Sequence, residues 1–100
     1  MENFSLFLFG VLLSVLGIVN IMGNISTIHS YNRRRVKEED IPRYGKLVGT
    51  GTLIMGASLI AAFIATFWSE RLIGYIVIPA LILGLGFVLY AQFKYNKGIF

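Results

Sequence analysis

Three apolar stretches, 4–22, 47–68 and 72–93, carry no acidic or basic residue, and nothing else in this chain limits its fold so strongly. A helix rises about 1.5 Å per residue, so about 20 apolar residues cross a hydrocarbon core roughly 30 Å thick, and each stretch meets that length. Lipid offers no partner to an unpaired backbone N–H or C=O, which requires helices here, and segments this continuous lack the alternation of barrel strands. With 56% hydrophobic and 14% charged residues, the 100-residue chain is more apolar than a soluble domain of its size needs. The predicted fold is all-α: one integral membrane domain over 1–100 with three transmembrane helices, the second and third forming an antiparallel hairpin.

Orientation follows from Lys and Arg. The segment between the first two spans, 23–46, carries Arg33, Arg34, Arg35, Lys37, Arg43 and Lys46, the tail carries Lys94 and Lys97, and the opposite side holds only Arg71. Loops rich in these residues stay in the cytoplasm, so the N-terminus is expected outside, the C-terminus in the cytoplasm and the Ser69-Glu70-Arg71 turn outside. Glu2 is the only early charge and no A-x-A pattern follows, so the first stretch reads as a retained helix and not as a cleaved signal. Trp68, Tyr75, Tyr90 and Tyr95 lie near span ends, where amphipathic rings favour the headgroup region. The net charge of +4 is explained by these loops without a nucleic-acid partner. The basic residues of 33–46 are instead expected on anionic lipid headgroups at the cytoplasmic face, each worth about 1 kcal/mol near the surface.

Small residues mark the expected packing faces. Gly45 and Gly49, Ala57 and Ala61, and Ala61 and Ala65 stand four apart in the second span, with Gly51, Gly56, Ser58 and Ala62 among them. Between helices in lipid there is little hydrophobic drive, and close backbone approach at small-xxx-small spacing supplies dispersion contact instead. The second helix is therefore expected at the centre, touching both neighbours or a second copy of itself. Gly10, Ser14 and Gly17 give the first helix one matching face, and Ala80 with Gly84 give one to the third, in which Pro79 should introduce a bend.

The polar stretch is patterned too. Ile18, Ile21, Met22, Ile25 and Ile28 recur at helical spacing, which predicts that the first helix continues into the cytoplasm to about Arg34. Asn20, Asn24, Thr27 and Tyr31 form a polar stripe on it, with Asn20 expected to bond hydroxyls or carbonyls near Thr50 or Thr52. Asp40 is placed to cap the second helix, with Pro42 in its first turn, and Ser69 to cap the third.

Chemistry is harder to find. The chain has no Cys, His29 with Glu38, Glu39 and Asp40 follows no metal-ligand spacing, and Gly49-Thr50-Gly51 lacks the Lys-Ser or Lys-Thr of a phosphate loop. Paired acids, a histidine cluster or a nucleophile with its base at membrane depth are missing, so no enzyme activity, cofactor or metal is expected.

The residues His29-Ser30-Tyr31-Asn32, the charged run through Glu39 and Tyr44-Gly45-Lys46-Leu47-Val48-Gly49 resemble the DUF3784 family of small bacterial membrane proteins. By layout the resemblance covers most of the chain, and it implies a bacterial cell membrane with no catalytic residues. The expected role is an interaction or accessory subunit that self-associates or binds a larger membrane partner through the Gly/Ala-rich second helix. The alternative is a homo-oligomeric transporter or channel with a neutral path through Asn20, Thr50 and Thr52.

Overall fold

The computed structural model describes residues 3–23 and 36–96. Within them lie α1 (Phe4–Ile21), a 3-10 turn (Glu38–Asp40), α2 (Ile41–Ala65) and α3 (Leu72–Tyr95). All three α-helices are long and apolar enough to cross a membrane, so the chain is a multi-pass membrane protein. The surface agrees: Leu8, Phe9, Ile78, Ile82 and Phe93 point outward and are more than half exposed, while the interior holds small or polar side chains such as Ala62, Ala91, Asn20 and Gln92. Water would penalise such a surface, and lipid tails accept it.

α1 ends on a glycine. The Met22 and Gly23 N–H groups donate to the Ile18 and Asn20 carbonyls, and Gly23 has φ +99, a left-handed conformation that only glycine adopts without steric cost. α1 therefore ends at Ile21, and the extension expected from the isoleucine spacing, to about Arg34, lies outside the described residues.

α2 starts at Ile41, before the apolar stretch itself, because the 3-10 turn over three acidic residues leads straight into it and Pro42 sits in the first turn, where no N–H is missed. Asp40 occupies the N-cap position but its side chain makes no capping hydrogen bond. At the other end the Thr66 N–H bonds the Ala62 and Phe63 carbonyls and the Ser69 N–H bonds that of Ala65, closing α2. Ser69 Oγ then accepts from the Arg71 N–H at 3.2 Å, which stabilises the turn and not the first turn of α3. Two helices joined so tightly are antiparallel. Pro79 stays within a continuous α3 on its exposed side.

α2 lies between its neighbours, and α1 and α3 scarcely meet each other. The antiparallel registers are set by Gly17 against Gly49 and Gly10 against Gly56 on one side, and by Gly51 against Gly84 on the other. Asn3 Nδ2 donates to Glu70 Oε1 at 3.3 Å, so the start of α1 and the α2–α3 turn share one end of the molecule. The opposite end carries Lys37, Arg43, Lys46 and Lys94, all exposed.

Candidate functional site: packing faces and a buried polar layer

At their glycines the helices approach backbone to backbone. A Cβ built on Gly17 would lie 2.7 Å from the Gly49 carbonyl oxygen and the Leu53 nitrogen, and one on Gly56 2.6 Å from the Ser14 nitrogen. A Cβ on Gly10 would meet the Gly56 carbonyl oxygen at 2.8 Å. Seven residues separate Gly10 from Gly17 and Gly49 from Gly56, which is two helical turns, so each pair lines one face of its helix. On the far side of α2, Gly84 faces Gly51 and Met55, where an added Cβ would lie 2.7 Å from the Gly51 oxygen. Helices can approach this closely only where no side chain intervenes. Ser14 Oγ is buried over Gly56 with no hydrogen-bond partner among the described residues.

The remaining expected packing positions divide. Gly45 and Ala65 are buried and Ala80 is half-buried, whereas Ala57 and Ala61 are exposed. The reason is rotation: α2 offers Gly49, Leu53, Gly56 and Ile60 to α1 and Gly51 and Met55 to α3, and Ala57 and Ala61 fall on the side turned away from both. Gly51, Ser58 and Ala62 belong to the buried side instead. Composition marked α2 as rich in small residues, but assigning each to a face required knowing where both neighbours sit.

At the end near Asn3, phenylalanines close the α1–α2 seam. The Phe63 ring lies 5.5 Å from Phe7, 6.1 Å from Phe4 and 5.5 Å from Phe67, tilted or edge-on in every case. Such geometries set the positive ring edge against the negative face.

Toward the basic end the interior turns polar. Asn20, Tyr44, Gln92 and Asn96 are all buried, from three different helices and the cap of the third. Tyr44 Oη donates to Gln92 Oε1 at 2.5 Å, joining α2 to α3, and Val48, Ala91 and Val88 pack around that bond. The register of Gly17 on Gly49 puts Asn20 near the level of Val48, one turn from Tyr44. Thr50 and Thr52 do not donate to it: their hydroxyls bond the Lys46 and Val48 carbonyls, one turn back in α2, at 2.6 and 2.9 Å. Backbone carbonyls are the usual recourse of a hydroxyl in a membrane helix.

Of the polar stripe, only Asn20 is among the described residues. Asn24, Thr27 and Tyr31, like Arg33, Arg34 and Arg35, lie outside them. Lys37, Arg43 and Lys46 are exposed at the basic end, as headgroup contact requires. Nothing in the sequence pattern alone joins Tyr44 to Gln92 or buries Asn96. Their signal was present, as an amide in the last turn of an apolar helix, but the pairing needed the α2–α3 register. Among the described residues no group of three His, Cys, Asp or Glu is gathered to hold a metal ion.

No protein-family model, curated protein or solved structure matches the chain. Function must therefore be argued from its own surfaces.

Proposed function

We propose that the chain is an accessory or interaction subunit of a membrane assembly, joined to its partner, a second copy or a larger membrane protein, through the outward side of α2. One observation carries this reading: Ala57 and Ala61 are exposed in the middle of a span whose glycines are spent on α1 and α3. Together with half-buried Ile54 and exposed Ile64 they follow at three- and four-residue spacing along one side of the helix. A stretch where only alanine side chains stand between two isoleucines admits another helix closely and gains dispersion contact that mobile lipid tails supply less well.

The resemblance to small bacterial membrane proteins adds the bacterial cell membrane as location. Lys37, Arg43, Lys46 and Lys94 at one end support a cytoplasmic basic face, with the N-terminus outside and the C-terminus inside. Single cysteines at Ala57, Ala61 and, as control, exposed Leu8, each labelled with a maleimide-linked benzophenone, test the interface by photocrosslinking to any neighbouring protein in native membranes. Adducts are expected from the first two positions and not from the third; equal yields at all three, or none, would remove the reading. Ion flux through liposomes carrying the crosslinked species would replace it by the homo-oligomeric transporter or channel, a reading that Asn20→Leu then probes.

A further inference from the structure

We infer that the groove between α2 and α3 at the basic end is a binding site for an anionic phospholipid, seating both its headgroup and the upper part of one acyl chain. Two contiguous segments make up this groove. The outer one, about 430 Å³, is lined by Arg43, Lys46 and Lys94 above Thr50, Tyr90 and Tyr95. The inner one, about 400 Å³, continues toward the membrane centre between Leu47 on α2 and Ile82, Leu83 and Gly86 on α3. Leu47, Phe87 and Tyr90 line both segments, so the basic mouth opens directly onto the apolar run.

Each part fits one portion of such a lipid. Three cations and no carboxylate line the mouth, which favours a lipid whose phosphodiester charge is unbalanced over a zwitterionic one whose headgroup cation the same residues repel. Lys94 is held in place there: its Nζ donates to Tyr90 Oη at 3.2 Å and sits 5.4 and 5.5 Å from the Tyr90 and Tyr95 ring centres. Below it, Gly86 is exposed and a Cβ built there would meet nothing within 4 Å, so this glycine serves no helix contact and opens room beside Phe87. A general attraction of basic loops to the surface would need neither the groove nor the missing side chain. The inference stands apart from the α2 interface proposed above, whose alanines lie nearer the opposite end.

Native mass spectrometry of the full chain in mild detergent, with equal phosphatidylglycerol and phosphatidylcholine added, provides the test. Phosphatidylglycerol should be retained preferentially. That preference should fall roughly fivefold for each of Arg43→Gln, Lys46→Gln and Lys94→Gln. Gly86→Leu, which leaves every charge in place, should lower retention of the anionic lipid about tenfold by filling the space for its chain. Arg71→Gln, at the other end, should change nothing. Equal retention of the two lipids, insensitivity to Lys94→Gln, or displacement of the lipid by excess inorganic phosphate would overturn the inference. Lys94 is exposed, so its variant tests the mouth even if Gly86→Leu fails to fold.

Discussion

Glycine has three different meanings in this chain, and only the structure separates them. At Gly17 and Gly49 an added methyl would run into backbone of the facing helix, which cannot swing aside as a side-chain tip can. Gly17→Ala or Gly49→Ala should therefore force α1 from α2 and cost about 1–3 kcal/mol, the usual range for overpacking. Gly86→Ala meets open space and should be neutral or stabilising by up to about 1 kcal/mol, because alanine loses less backbone freedom in a helix. Unfolding in mixed micelles followed by helicity checks both; a loss at Gly86 as large as at Gly17 would contradict the assignment of faces. Gly23 is a third case, since its backbone conformation and not its neighbours requires it.

Among elements, α2 is the one the others depend on, and it is attached differently on its two sides. Toward α1 the seam is glycine on backbone, closed at one end by the Phe4, Phe7 and Phe63 rings. Toward α3 the seam adds a buried hydrogen bond, Tyr44 to Gln92. A cycle of Tyr44→Phe, Gln92→Leu and the double variant should give a coupling of about 0.6 kcal/mol and not above about 1.7, the scale found for side-chain hydrogen bonds between membrane helices. Zero coupling in the same unfolding assay would mean that water or another group replaces the bond at no cost. The positions of the helices were legible from charge-free runs alone. Their ends were less so: α2 begins in the charged segment because Pro42 and the acidic turn start a helix regardless of membrane depth, and α1 closes on Gly23.

Considered whole, the molecule is 46 Å long against 19 and 18 Å in the other directions, a proportion suited to a bilayer core of roughly 30 Å with both ends in the headgroup layers. Asn3 bonded to Glu70 marks one end, and four exposed cations beside the acidic turn Glu38–Asp40 mark the other. Reporter fusions at Lys37 and Phe100 should read cytoplasm and one at Ser69 the outside; an external signal at Lys37 would reverse the assignment. The sequence by itself determined the solvent and the number of apolar spans, and gave an expected direction of insertion, since those follow from additive properties: how many apolar residues run unbroken, and on which side the cations fall. Only the tertiary structure decided which small residues are contacts and which are exposed, that Tyr44 finds Gln92, and that Arg43, Lys46 and Lys94 rim one apolar groove. These depend on the rotation and register of helices against one another. A change of one residue in register leaves composition and hydropathy as they were while turning every helix face by about 100°.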